Sequence, residues 1–259
     1  MPFEFDGDKY KKASGPQKEW GYKLISELGL SGNERILDLG CGDGVLTLAL
    51  AKLVPNGSAV GVDSSRSMIN TAGQNTAPNL SFSLVDINNM NFKQQFDFIF
   101  SNAALHWIID HRQLLAKSKD ALVSGGKLVW SFAGAGNCAE FFASIQEIMI
   151  KPEYKKLFSD FSWPWCMPTK NEYTLLMQQS GFTHYTISEI NADHYFQNID
   201  EITAWIDQPC LVPFISTINN EKIKHSFRQA VIDKTLENSY RDNGTYFQSF
   251  RRLQITAEK

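Results

Sequence analysis

Two rhythms alternate along the first half of the chain. RILDL (35–39), SAVGVD (58–63), LSFSLVD (80–86), FDFIFS (96–101) and KLVWSF (127–132) are short apolar runs of strand length. FDFIFS is apolar almost throughout, as a parallel strand buried on both faces must be. Between these runs the apolar spacing is helical. Residues 16–29 bring Trp20, Leu24, Ile25 and Leu28 near one face, with Pro16 suited to a first turn and Gly29 to a C-terminal cap. Residues 45–53 place Leu46, Leu50 and Leu53 towards a sheet, and 65–74 and 110–123 are further helices, the last closed by Ser124-Gly125-Gly126. This alternation predicts an α/β fold, a doubly wound and mostly parallel sheet.

Past residue 133 the pattern loosens. Residues 139–160 read as a helix, FSWPWCMP (161–168) as a proline-broken aromatic connection, 170–180 as a helix ended by Gly181, and HYTISEI (184–190) as a strand. Residues 199–240 are irregular and partly helical, and 245–259 alternate like a final strand, with Phe247, Phe250, Leu253 and Ile255 among the apolar positions. The expected organisation is one structural domain. Residues 1–132 form its ligand-binding core, and 133–259 complete the sheet and carry two partly helical insertions, about 133–169 and 198–240, that cap its carboxyl edge.

The chemistry gathers at LDLGCGDG (37–44), where Gly40, Gly42 and Gly44 follow the first strand. In open α/β sheets ligands sit outside the carboxyl ends of the strands, at the switch point beside that strand. A dinucleotide needs G-x-G-x-x-G, but Val45 occupies the place of the last glycine. Asp38 and Asp43 flank the turn and repel a pyrophosphate, whereas they attract the ammonium and sulfonium of S-adenosyl-L-methionine. The next strand ends in Asp63, 19 residues after Gly44, placed to accept ribose hydroxyls. The third ends in Asp86-Ile87, whose carboxylate can take the adenine amino group and whose backbone N–H can serve a ring nitrogen.

These residues resemble class I S-adenosylmethionine-dependent methyltransferases, a Rossmann-like family. ILDLGCGDG is similar to its first motif, GVDSS to its second, LVDI to its third and FDFIFSNAALHWIID to its fourth. The resemblance covers about residues 30–132. SNAALHW followed by Asp110 looks closer to the trans-aconitate methyltransferase group, with malonyl-carrier-protein methyltransferases as neighbours; in those groups the acceptor is a small or carrier-bound carboxylate. The resemblance implies cofactor contacts at Asp38, Gly40, Cys41, Gly42, Asp63, Ser64, Met68, Asp86, Ile87 and Asn102, with Cys41 lending its backbone. Ser64 and Met68 are read equally well as a helix cap and a core methionine. Tyr10 and Gln17 are further contacts by resemblance.

The reacting methyl is expected beside Ser101–Trp107. Ala103-Ala104 stands where methyltransferases of nucleic acid bases carry a proline-proline-aromatic motif, which disfavours base methylation. His106 is the catalytic candidate, as hydrogen-bond partner of the acceptor or as base, with a locally satisfied histidine as the alternative. Trp107 is a candidate substrate wall or a core residue. A carboxylate acceptor is already ionised and needs a cationic partner, for which Lys170, Arg228, Arg241 and Arg251 are candidates. Phe161, Trp163, Trp165 and Trp205 suggest an apolar lid.

Composition narrows the partners. With 25 Lys and Arg against 28 Asp and Glu, the net charge of −3 offers little to nucleic acid. No apolar run reaches membrane-span length, MPFEFDGDKYKK has no secretory h-region, and the four cysteines (41, 138, 166, 210) form no CxxC pair. The expectation is a cytoplasmic S-adenosylmethionine-dependent methyltransferase acting on a small-molecule carboxylate oxygen, without a metal; N- or C-methylation of another metabolite and a cofactor-binding protein without turnover are the alternatives. Its oligomeric state stays open, with a monomer admissible.

Overall fold

The computed structural model describes residues 14–259; Tyr10 lies outside them. The strands β1 (Arg35–Leu39), β2 (Ser58–Asp63), β3 (Leu80–Leu84), β4 (Phe96–Asn102), β5 (Leu122–Ala133), β6 (Thr183–Asn191) and β9 (Arg251–Glu258) form a seven-stranded sheet. Its order is β3-β2-β1-β4-β5-β9-β6. The first five strands run parallel, and β9 lies antiparallel between β5 and β6. The sheet is thus mostly parallel and Rossmann-like, and the order reverses between β1 and β4.

Strand periodicity decides what each face holds. Ile36 joins Leu24 and Ile25 of helix α1 (Gly15–Ser26), Leu50 of α2 (Val45–Leu53), Phe98 and Phe100 in one core. Leu37 and Leu39 face the other way. They join Ile99 and Trp130, Leu114 and Leu115 of α4 (His111–Ala121), and Tyr173 and Met177 of α6 (Lys170–Ser180). Helix α3 (Arg66–Ala72) links β2 to β3, with Ser65 accepting the Met68 N–H at its start. Gly21 lets α1 lie close: a Cβ there would stand 2.3 Å from Leu46 Cδ1 and 3.0 Å from Asn102 Nδ2.

A third apolar cluster lies in the segments after β5. It joins Phe141, Ile145 and Ile148 of α5 (Ala139–Met149), Trp205 of α7 (Ile199–Trp205), Phe214 of the single turn α8 (Val212–Ile215), and Phe227 and Val231 of α9 (Glu221–Ser239). A two-stranded sheet, β7 (His194–Phe196) with β8 (Tyr246–Gln248), borders it.

Several boundaries differ from the sequence expectation. The helix expected over 139–160 ends at Met149, and only a short 3₁₀ turn, Lys155–Phe158, follows. The third strand ends at Leu84; Asp86 instead caps a 3₁₀ turn by accepting the Asn88 N–H. The final strand breaks at Ser249-Phe250, because Ser249 N–H donates to Glu140 Oε2 and the Gln248 amide is held by Phe141 N–H and Ser239 Oγ. Those contacts to α5 and α9 pull β8 out of the main sheet.

Candidate active site

A cavity of about 470 Å³ opens where the strand order reverses. Its left side is built at the ends of β1, β2 and β3. Gly40, Gly42, Asp63, Ser64, Met68 and Asp86 line it, joined by Ile87. Gly40 has φ +73°, and a Cβ there would stand 2.3 Å from Ala104 Cβ, so the turn needs glycine for both conformation and space. The turn is pinned to β2: Gly40 and Cys41 N–H donate to Val62 O, and Gly42 N–H donates to Asp63 Oδ2 at 3.0 Å. Asp63 Oδ1 also accepts the Ser65 N–H. The helix cap is therefore Ser65, and Ser64 stays on the cavity wall.

The flanking acids sit differently. Asp38 is on the sheet face that α2 covers, where Thr47 Oγ1 donates to it at 2.7 Å. Burial pushes its carboxyl up to about 7, the Thr47 hydroxyl works against this, and Asp63 adds to it. Asp43 pairs with Lys18 of α1 at 2.8 Å. Asp38, Cys41 and Asp43 line a smaller pocket beside the cavity, together with Gln17 and Asn102. Burial also pushes the Cys41 thiol well up, so it is not a nucleophile.

The right side is built at the ends of β4, β5 and β9. After β4 the chain turns through Ala103, a non-glycine residue at φ +57°, whose N–H donates to Ser131 O. The turn Leu105–Trp107 is fastened from below by His111. His111 Nε2 lies 3.0 Å from Leu105 O and Nδ1 lies 3.1 Å from Tyr173 Oη. A carbonyl only accepts, so Nε2 carries the proton and Nδ1 accepts from the tyrosine. Burial lowers His111 to about 4, which keeps it neutral.

His106 lines the cavity, and its Nδ1 is shielded from solvent without a hydrogen-bond partner among the described residues. Burial first, then Arg252 and His111, lower it to about 3. Trp107 also lines the cavity, with its ring centroid 5.1 Å from that of Trp165. Asn102 stands at the junction of the two sides. Its Nδ2 donates to Gln17 O of α1, and its Oδ1 accepts from Arg252 Nη2 at 3.0 Å.

Arg252 was not among the cations expected from the sequence. It is 4% exposed, lines the cavity, and donates through Nε to Ser131 Oγ and through Nη2 to Ser131 O. Its guanidinium carbon lies 4.4 Å from the ring centroid of Trp20. The four expected cations are elsewhere. Arg251 pairs with Asp193, Arg228 with Asp207, Arg241 covers the carbonyls that end α9, and Lys170 is exposed at the start of α6. The signal was present in the pattern. Leu253 and Ile255 face the core, so strand alternation puts Arg252 on the opposite face.

The expected lid residues divide. Trp165 and Trp205 line the cavity; Phe161 and Trp163 are not on its wall and pack against Phe214. Among the described residues no helix is long and apolar enough to cross a membrane, and no group of three His, Cys, Asp or Glu could hold a metal ion.

Residues 30–191 match the methyltransferase domain family. The chain belongs to the class I S-adenosylmethionine-dependent methyltransferases. The cavity fits that methyltransferase cofactor. The glycine turn leaves room for close backbone approach, and the described left wall carries the carboxylates of Asp63, at the end of β2, and Asp86, at the start of a 3₁₀ turn, and no lysine or arginine. The methyltransferase is 29% identical over 245 residues to an uncharacterized methyltransferase of Schizosaccharomyces pombe, covering 91% of this chain and 90% of that protein. It is also 29% identical over 258 residues to the trans-aconitate 2-methyltransferase of Mycobacterium tuberculosis (98% and 96%). The solved YcgJ protein of Bacillus subtilis has the same fold, with TM-score 0.64 over 93% of this chain and 98% of that one at 16% identity.

Proposed function

We propose that this methyltransferase esterifies a carboxylate oxygen of a small-molecule acceptor. The observation that carries the reading is Arg252, a buried guanidinium on the wall of the cavity's right side. Its Nε and Nη2 are engaged by Ser131 and Asn102, so what it offers a carboxylate is the positive charge of a guanidinium held in place. The trans-aconitate 2-methyltransferase relatives point to the same acceptor chemistry.

On the left side, Asp63 takes the ribose hydroxyls, Asp86 and the Ile87 N–H take the adenine, and Ser64 and Met68 pack beside them. Gly40, Cys41 and Gly42 hold the methionine end through their backbone, and Asp38 supplies a negative charge beneath it. Asn102 positions α1 and Arg252 around the junction.

When bound, S-adenosylmethionine supplies a methyl carbon whose bond to sulfur breaks with the electron pair staying on sulfur. A carboxylate oxygen forms the new bond from a lone pair, so no proton is removed. His106 agrees with this. Burial holds His106 well below the ordinary histidine value, so it stays neutral at pH 7, a poor base and a serviceable neutral donor. Its role is to hydrogen-bond the acceptor, while Trp107 walls the pocket. Orientation of this kind can supply about 7–11 kcal/mol of the barrier. Segments 133–169 and 198–240 exclude water. Free thiols at all four cysteines fit a reducing, cytoplasmic compartment.

The test is methyl transfer from methyl-labelled S-adenosylmethionine to a pool of carboxylic acids, followed by mild alkali. Labelled methanol supports the reading. Label that resists alkali would mean transfer to nitrogen or carbon and contradict it.

A further inference from the structure

We propose that His111 is a positioning residue for methyl transfer: backed by Tyr173, it fixes the turn that presents His106 and Trp107 to the acceptor. This rests on the reading that those two residues face the acceptor, and adds what places them.

His106 and Trp107 belong to the 3₁₀ turn Leu105–Trp107. Its own backbone bonds run from Trp107 N–H to Ala104 O and from Ile108 N–H to Leu105 O, both at 3.0 Å. So short a turn has little stability of its own. Its place is set by partners on other elements. At its entry Ala103 N–H donates to Ser131 O of β5 at 2.7 Å. On the cap side Cys166 N–H donates to His106 O at 2.8 Å. On the core side His111 Nε2, at the start of α4, donates to Leu105 O at 3.0 Å, and Tyr173 Oη of α6 donates to His111 Nδ1 at 3.1 Å. Of these three anchors, the last is the one built from side chains.

The surroundings show what that anchor adds. Leu105, Phe132 and Tyr173 are fully buried and His111 nearly so, in an apolar core. The rings of His111, Phe132 and Tyr173 lie with centroids 5.1, 5.4 and 5.3 Å apart. Two phenylalanines would fill the same space, and such a swap of a buried polar pair is often neutral for stability. What the polar pair adds is a single arrangement. The Leu105 carbonyl accepts, so Nε2 carries the proton; Nδ1 is then an acceptor, and the tyrosine hydroxyl is there to donate. Turning the carbonyl away would leave a buried N–H unpaired, which is unfavourable. His106 follows Leu105 directly and Trp107 comes next, so the anchor sets where both side chains emerge. Neither His111 nor Tyr173 lines the cavity, so they act through the turn.

The full-length protein tests this with methyl-labelled S-adenosylmethionine and a panel of malonate, citrate, trans-aconitate, octanoate and 3-phenylpropionate. Transfer is scored as total label, whatever its stability to alkali. His111→Phe keeps the ring and removes both hydrogen bonds. It should lower kcat about 10- to 100-fold, the scale of a misplacement near 1 Å, with cofactor Kd within about twofold of the parent. His111→Gln keeps an N–H at nearly the reach of Nε2 and should recover kcat to within about fivefold of the parent. A role confined to stability would lower Tm and leave kcat per folded molecule unchanged. Should His111→Phe fail to fold, Tyr173→Phe should lower kcat about 3- to 10-fold, the worth of one hydrogen bond, and parent kcat there would overturn the inference. A folded His111→Phe with parent kcat, beside a His106→Ala that has lost turnover, would overturn it and leave His106 at the acceptor. So would a His111→Gln as slow as His111→Phe. Parent turnover in His106→Ala would overturn the reading of the turn and this inference with it. Both would also fall if the parent protein, shown by titration to bind the cofactor, transferred label to no acid of the panel.

Discussion

The Asn102 side chain is held at both ends: its Nδ2 donates to the Gln17 carbonyl of α1 and its Oδ1 accepts from Arg252 Nη2 at 3.0 Å. One amide thus ties helix α1 to the cation on the acceptor side. The orientation is fixed, since a flipped amide would set donor against donor and acceptor against acceptor. Asn102→Leu, of similar volume, should cost about 1–3 kcal/mol by orphaning the Gln17 carbonyl and an arginine N–H. Thermal unfolding checks the loss, and acceptor KM should rise more than cofactor Kd.

Asp63 serves two masters, the Gly42 N–H at 3.0 Å and the Ser65 N–H at 2.9 Å. Asp63→Ala should weaken cofactor binding by about 1–3 kcal/mol, the scale of a lost charged hydrogen bond. Calorimetric titration with S-adenosylhomocysteine measures this. Unchanged affinity would remove Asp63 from the site.

Cofactor affinity should depend on pH through Asp38. Burial raises its carboxyl to about 7, so the free protein still carries this proton at mildly acidic pH. A cationic ligand nearby favours the carboxylate and lowers that value. Affinity should therefore rise from about pH 5 to pH 8, with proton release on binding that shows as a buffer-dependent heat. Asp38→Asn should flatten the slope. In the ligand-free protein the same raised carboxyl works the other way: stability attributable to Asp38 falls as pH rises from about 4 towards 7.

His111 sets the acid limb of stability. Its folded value is lowered to about 4, below the ordinary 6.5, so the unfolded chain binds the extra proton in between. Its contribution is complete above about pH 6.5 and is lost as pH falls towards 4. His106 acts in the same direction. His111→Phe should reduce the pH slope of unfolding free energy by up to about 1.4 kcal/mol per pH unit in that window. Denaturant unfolding at pH 4.5, 5.5 and 7 measures it.

Much of the sheet was legible because buried parallel strands must be apolar. The limits of β1 and β2 were read as they stand, and β4 fell within one residue; β5 ends one residue later than expected but begins at Leu122, so Ser124-Gly125-Gly126, expected to close the preceding helix, lie within the strand. The glycine turn and Asp63 were legible because topology puts strand ends together, and Asp86, two residues past the end of β3, still reaches the same wall. The right side was not. Arg252 could be told from Arg251 only by strand register, and the break at Ser249-Phe250 that sets this register depends on Glu140, over a hundred residues away. Phe141 and Phe142 carried no signal of their own within the helix expected over 139–160, and Phe250 was one apolar position of the final strand, since spacing does not say whether a ring meets another ring or a ligand. The split between Ser64 and Ser65 turned on one hydrogen bond to Met68.

Arg252 carries the central claim, so the most direct test compares Arg252→Gln and Arg252→Lys with the parent protein in ester formation. Removing one partner of a buried charge pair costs about 2–5 kcal/mol, or roughly 30-fold to several thousandfold in kcat/KM. The account predicts that loss for Arg252→Gln, partial recovery in Arg252→Lys, and cofactor Kd within about twofold in both. A folded Arg252→Gln that forms ester at the parent rate would contradict it.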